Sequence, residues 1–279
     1  MKTVRTIHPL TRKNLISTGT LPIQVFADDF ETYLCKHTNQ YRANILFNEF
    51  IAAEFLKLWG IDAPEHALVN VPRHLVYNEI LGTQITYTNF DRPCLGFKYL
   101  QNAQDATRFF MGAKGNRTFT SKIINKDDLI RIALFDIWLA NEDRNLNNNN
   151  LLVNPESKIY KIIPIDHENI FNSSSAKEKV FEITQEDSII FSDIFAALIT
   201  KQNKESFVKT LHNIIKEFKE HVKLCKKHRK SILEKVPAEW NIVLSEKETL
   251  LNYILSPEWT DKSINLLKQF ITQHQKSKL

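Results

Sequence analysis

The stretch Ile137-Trp138-Leu139-Ala140-Asn141-Glu142-Asp143-Arg144-Asn145-Leu146-Asn147-Asn148-Asn149-Asn150-Leu151-Leu152-Val153 decides how the chain is read. An apolar helical run ends in Asn-x-Asp-Arg, a polar loop follows, and a short apolar strand closes it. Asp143 and Asn148 stand five apart. The next strand-like run, Ile162-Ile163-Pro164-Ile165, ends on Asp166.

Working outward, Asn125-Lys126-Asp127-Asp128 reads as the start of the helix before the loop, with Asn125 as its cap and two acids in its first turn. Leu129, Ile132, Ala133, Phe135, Ile137 and Trp138 surround that helix with apolar groups, which predicts a buried element. A loop carried on such an element has a rigid base. Beyond the loop, residues 149–153, a turn at Asn154-Pro155-Glu156-Ser157 and residues 159–165 make a hairpin. A hairpin brings its two ends together, so Asp143, Asn148 and Asp166 are expected to converge. The competing reading is a low-complexity, turn-forming loop, because Asn147 to Asn150 are all asparagine. The buried helix before the loop and the hairpin after it favour a site.

Upstream, residues 15–22, 23–27 and 30–36 read as three antiparallel strands, with corners at Gly19-Thr20 and Asp28-Asp29. Backbone N–H groups at the first corner can cover a nucleotide's phosphates. One glycine also makes an ordinary hairpin turn. Lys36 ends the third strand. Most lysines are solvated, but a strand lysine can bind α- and β-phosphates if a helical glutamate fixes it. Glu49 follows thirteen residues later, in a helix over 42–59 made apolar by Phe47, Phe50, Ile51, Phe55, Leu58 and Trp59. Glu54 competes for the role, and Glu49 is preferred. Gly60 stops this helix before a strand over 66–71.

A lysine, a helical glutamate, an aspartate, an asparagine and a second aspartate, in that order, fit phosphoryl transfer. That chemistry asks mostly for positioning and charge compensation. Asn141-Glu142-Asp143-Arg144, Asn148-Asn149-Asn150-Leu151-Leu152-Val153 and Ile165-Asp166-His167 resemble the HipA-like kinase family, and more distantly the phosphatidylinositol kinases. Gly19 with Pro22, Tyr33 to Lys36, Asn48-Glu49 and Gly60 to Pro64 also match. The resemblance covers roughly residues 15–170, and more loosely Pro237-Ala238-Glu239-Trp240.

It implies an α+β, two-lobed, protein-kinase-like fold. Residues 1–100 would be a small antiparallel β N-lobe with one long helix, covering the nucleotide. Residues 101–279 would be a larger, mainly helical C-lobe. It also implies ATP- and magnesium-dependent phosphorylation of a Ser or Thr of a protein. Asp143 would be the catalytic acid/base, Asn148 and Asp166 the metal ligands, and Lys36 the phosphate-binding lysine. Glu49 would orient Lys36, and Gly19-Thr20 would lie over the phosphates. Two departures stand out: His167-Glu168 follows Asp166 where many kinases carry an apolar residue and glycine, and the phosphate corner is poor in glycine. They leave open a non-protein acceptor, transfer of AMP, or a nucleotide-binding pseudokinase that works by association.

Composition fits this reading. Of 279 residues, 43% are apolar and 25% charged, which is ordinary for a globular chain. Three scattered cysteines draw no disulfide framework or zinc spacing, and point to a reducing compartment. No apolar run approaches the roughly 18 residues of a membrane helix, and Met1 to Arg5 open no signal peptide. A cytoplasmic protein without a membrane partner is expected. The net charge of +5 is uneven: from Lys201 to Lys235 there are eleven Lys/Arg against four Asp/Glu. Phe207, Leu211, Ile214, Ile215, Phe218 and Val222 make one face of a helix there, and lysines the other. Such a face is commonly just solvated. The sharper expectation is a nucleic-acid or acidic partner. Residues 1–13 read as a loosely held lead-in, 101–110 as helical, 111–122 as a mobile polar loop, and 188–200 as helical. Two closing helices are split at Pro257.

Overall fold

The computed structural model describes residues 1–16, 20–37, 43–78, 80, 85–112, 120–199 and 203–276. The chain forms two compact units that interleave in sequence. The first takes in Met1–Ala53, Pro64–Gln101 and Ser231–Val243; the second takes in Glu54–Ala63, Asn102–Lys230 and Leu244–Leu279.

In the first unit, β1 (Lys2–Arg5), β2 (Ile23–Phe26), β3 (Thr32–Lys36), β4 (His66–Asn70) and β5 (Cys94–Lys98) form one sheet in the order β1-β4-β5-β3-β2. Alternate residues Ile23, Val25, Tyr33, Cys35, Ala67 and Val69 are buried, the period-two pattern of a sheet with a core face. At Gly96 in β5 a Cβ would stand 2.5 Å from Val69 Cγ2, so glycine lets that face close. All pairs are antiparallel except β1 with β4. The expected loose lead-in is therefore corrected at Lys2–Arg5, an edge strand held by a parallel partner about sixty residues away, a pairing no local pattern announces. The strand expected over 15–22 reduces, among the described residues, to one bridge between Leu15 and Ile23.

Helix α1 (Ala43–Trp59) follows β3, and Leu46, Phe47, Phe50 and Ile51 are all buried in it. It ends at Gly60, where φ is +67°. Gly60 N–H donates to Lys57 O (3.2 Å) and Ile61 N–H to Leu56 O (3.1 Å), the double closure of a left-handed C-cap. Trp240, from the returning segment, buries its ring edge-on to Phe50 and donates Nε1–H to Pro93 O (2.8 Å).

The second unit holds a small sheet of β6 (Gln104–Asp105), β7 (Leu151–Glu156) and β8 (Ile159–Pro164) in sequence order. Among the described residues its helices of six or more residues are α2 (Ala106–Gly112), α3 (Asp128–Leu139), α4 (Asp193–Leu198), α5 (Lys204–Leu233), α6 (Leu244–Ile254) and α7 (Pro257–Lys276). Every residue of α3 from Ile132 to Leu139 is buried. Trp138 donates to Ile254 O (2.7 Å) and Trp259 donates to Trp138 O (2.7 Å), which fastens α3 to the end of α6 and the start of α7. Trp59 stacks on Trp138 with centroids 5.4 Å apart and meets Phe135 and Phe218 edge-on. Such aromatic pairs each add about 0.5–1.5 kcal/mol beyond burial.

Three local expectations change. Asn125 does not cap α3 with its side chain. It pairs both ways with the backbone of Ile162, at 2.8 Å each, and so extends the β8 ladder. The helix expected over 101–110 first makes β6, then α2. The hairpin turns at Ser157-Lys158, because Asn154 to Glu156 stay paired with β8 and Ser157 takes the left-handed conformation (φ 59°). Only 111, 112 and 120–122 of the loop expected at 111–122 are described, the first two ending α2. On α5, Phe207, Ile214, Phe218, Val222 and Cys225 are buried, while Lys209, Lys216, Lys219, Lys223, Lys226, Lys227 and Lys230 are exposed. Lys201 lies outside the described residues. No described helix is long and apolar enough to cross a membrane.

Candidate active site

In the first unit, the end of β3 buries Lys36 opposite Leu95 of β5, and its Nζ forms an ion pair with Glu49 Oε1 of α1. Both side chains are nearly out of water, where a charge persists only with a partner. Glu49, the preferred of the two candidate glutamates, is the one that meets the lysine. Thr20 is a turn residue. It is followed by Leu21 in the left-handed region (φ 49°). Gly19 lies outside the described residues.

In the second unit, α3 ends on Ala140, which is left-handed (φ 48°, ψ 56°) and closes the helix with bonds to Ile137 O and Asp136 O from Ala140 and Asn141. The chain then turns sharply into Asp143. Its carboxylate accepts one side-chain amide on each oxygen, Asn148 Nδ2 at 3.0 Å and Asn150 Nδ2 at 3.1 Å. Its backbone N–H donates to Asn141 Oδ1 (3.2 Å). The asparagine-rich run therefore acts as a set of donors aimed at one carboxylate. Asn148 spends its amide nitrogen on Asp143, so only its carbonyl oxygen remains to meet a cation.

The residue that fixes this loop is Arg144, which has no solvent exposure. Its Nε donates to Asp136 Oδ2 (2.6 Å), one terminal nitrogen to Asn149 O (3.0 Å) and Asn150 O, and the other to Ile165 O (3.2 Å) and His167 Nε2 (2.9 Å). All five guanidinium protons are used. Because His167 accepts there, its ring proton sits on Nδ1. Asp136 also accepts from Asn141 Nδ2 (2.8 Å). Burial pushes the Asp136 carboxyl above its ordinary range, while Arg144 and Asn141 pull it back. Arg144 thus ties α3, the loop and both ends of the hairpin to one point.

The hairpin end brings the backbone just before Asp166 beside Asn150. Ile165 N–H donates to Asn150 O (3.0 Å), and Asn150 touches Asp143. Asp166 follows directly, left-handed at φ 60°. Ala140, Asn150 (φ 44°) and Asp166 are all non-glycine residues in that region, each costing on the order of 1 kcal/mol. Such strain persists where the surroundings over-determine it. Here caps and Arg144 do so. The residues after Asp166 brace the loop: Asn172 and Ser173, also left-handed, donate side-chain bonds to Glu142 at 2.9 and 2.8 Å. Asp166 and Glu168 bring carboxylate oxygens within 4.8 Å of each other, so the unusual Glu168 adds a second acid beside the first.

Sequence reasoning assigned no role to Asp136, Arg144 or His167. The signal available was an aspartate inside the otherwise apolar run Ile132–Leu139, eight residues before an arginine.

A β-rich unit with a buried Lys–Glu pair and a helical unit with an Asp-Arg loop closed by asparagines belong to the kinase-like α+β fold. The family model of HipA-like kinases matches residues 12–269, and the chain belongs to that family. Among solved structures it is similar to the Helicobacter pylori proinflammatory kinase CtkA, with 15% identity, 99% of each chain covered and a TM-score of 0.54, a likeness of fold. It also matches a Golgi casein kinase (10% identity, 100% of this chain and 74% of that chain, TM-score 0.47). A Golgi casein kinase with Mn/ADP bound matches at 11% identity, over 99% of this chain and 74% of that one, with a TM-score of 0.46. No curated protein matches the sequence.

Proposed function

We propose that this chain transfers the γ-phosphoryl group of ATP to a serine or threonine hydroxyl of a protein, with magnesium as the metal. The observation that carries this reading is Asp143. Its carboxylate is oriented by two amides yet keeps lone pairs for an incoming proton. The acceptor oxygen forms a bond to the γ-phosphorus, the bond from that phosphorus to the ADP oxygen breaks, and the hydroxyl proton passes to Asp143. Lys36, fixed by Glu49, compensates charge on the α- and β-phosphates. Thr20 lies in the backbone turn that covers them.

The donor set suits a hard cation. The Asn148 carbonyl oxygen and the carboxylates of Asp166 and Glu168 are all oxygen ligands, the kind magnesium takes. When bound with ATP, the metal supplies neutralisation of phosphate charge. The protein acceptor follows from the family resemblance rather than from geometry.

Two variants separate these roles. Lys36→Met is expected to lower the transfer rate about 10²–10³-fold, the usual loss of one preorganised charge-stabilising group. Single-turnover transfer at saturating ATP checks it. Asn148→Ala is expected to raise the magnesium concentration for half-maximal rate roughly tenfold or more. Its unfolding free energy should stay within about 0.5 kcal/mol of wild type, since Asn148 is exposed. A magnesium titration of rate, with urea unfolding in parallel, reads both.

The direct test incubates the purified chain and a general protein acceptor with magnesium and ATP labelled at the γ-phosphate. Label on serine or threonine is the expected outcome. ATP binding without ADP formation would contradict the proposal.

A further inference from the structure

His37, the residue directly after Lys36 and the end of β3, belongs to no step above, yet its surroundings are specific. Nε2 lies 2.9 Å from Leu21 O, and Nδ1 lies 3.1 Å from Asn89 Nδ2. A carbonyl can only accept, so the ring proton is on Nε2 and the Nδ1 lone pair faces the Asn89 amide. The orientation of Asn89 is itself fixed, because its Oδ1 accepts from Thr86 N–H (2.9 Å) and Thr86 Oγ1 (3.0 Å). Asn89 is buried, and the His37 ring leans on Phe90 with centroids 5.6 Å apart. Burial holds the imidazole below its ordinary pKa, which favours the neutral tautomer these contacts need.

At the other end of this relay is strained backbone. Leu21 is a branched residue at φ 49°, a conformation that costs on the order of 1 kcal/mol without glycine. It follows Thr20 directly. The base of the corner is closed by Ile16 N–H donating to Pro22 O (3.0 Å). A strained carbonyl held by a half-buried, tautomer-locked histidine is an over-determined turn.

We infer that His37 is a positioning residue: through Leu21 it holds the Thr20 turn in the shape that receives the phosphates of ATP, and Asn89 holds His37. This inference rests on the proposed function. The residue directly after the phosphate-binding lysine thereby also anchors Leu21 and, through it, Thr20.

The test compares His37→Phe, which keeps the ring, with His37→Gln, whose amide nitrogen can again donate to Leu21 O. In His37→Phe the KM for ATP should rise about tenfold, the effect of one lost part-buried hydrogen bond, with kcat falling far less. Affinity for adenosine, which has no phosphates, should not change. His37→Gln should recover most of the ATP affinity. Asn89→Ala should shift ATP affinity in the same direction, and adding it to His37→Phe should do nothing more. If His37→Phe does not fold, Asn89→Ala carries the same comparison of ATP with adenosine. An ATP KM equal to wild type, or equal losses for ATP and adenosine, would overturn the inference while leaving the kinase reading standing. A wild type that neither binds nor turns over ATP would overturn both.

Discussion

Asp143→Asn is expected to lower kcat by about 10²–10⁴-fold, the usual contribution of a positioned acid/base, with ATP affinity retained. The carboxylate accepts one amide on each oxygen. An asparagine there keeps the shape and one acceptor but turns an NH2 toward the other donor, and it cannot take a proton at neutral pH. Asp143→Ala should give a similar rate loss without the donor–donor clash. Both variants should unfold within about 1 kcal/mol of wild type, because the side chain is only half-buried. ATP binding by calorimetry, set beside single-turnover transfer, separates lost chemistry from lost binding. A variant that transfers phosphate at the wild-type rate would remove Asp143 from the mechanism.

Arg144→Met is expected to give the largest loss of stability, about 3–5 kcal/mol in urea unfolding, the cost of leaving a buried charge unpaired. The change strands Asp136 and removes donors from three backbone carbonyls at Asn149, Asn150 and Ile165. It should also abolish transfer, since Arg144 bonds α3, the Asp143 loop and the hairpin end at once. Replacing both partners, as Asp136→Leu with Arg144→Met, should recover part of the stability and none of the activity.

The pH dependence has a definite sign. Burial raises the folded-state pKa of Asp136 above its ordinary 3.8. Between those two values the folded state holds the proton more tightly than the unfolded state. The stability due to this group is therefore present at low pH and lost as pH rises through that window. Removing Arg144 takes away the charge that pulls the value down, so the window widens upward. Arg144→Met should then be less destabilised in mild acid than at neutral pH, which urea unfolding at several pH values would reveal.

Much of the candidate site was legible because it is local. The spacing of Asp143, Asn148 and Asp166 reads directly from a helix, a loop and a hairpin. The left-handed stop at Gly60 was legible for the same reason: a glycine just past an apolar run has a known geometry. What stayed hidden depends on contacts distant in sequence. Lys2–Arg5 looks shapeless in sequence because its partner is β4, and Trp240 carries only a loose family likeness although it packs on Phe50 and Pro93. Asn125 carries the signature of a helix cap, yet the Ile162 backbone offered it two bonds at once. Arg144 is half of the Asp-Arg motif, but its anchoring role is visible only once its five acceptors are assembled.

The most direct measurement of the central claim is mass spectrometry of the protein and an added acceptor after incubation with magnesium and ATP, with Asp143→Asn run beside it. Expected are ADP and a phosphoryl group on serine or threonine with the wild type, and neither with the variant. An adenylyl group on the acceptor, or intact ATP bound to an unmodified protein, would contradict phosphoryl transfer by this site.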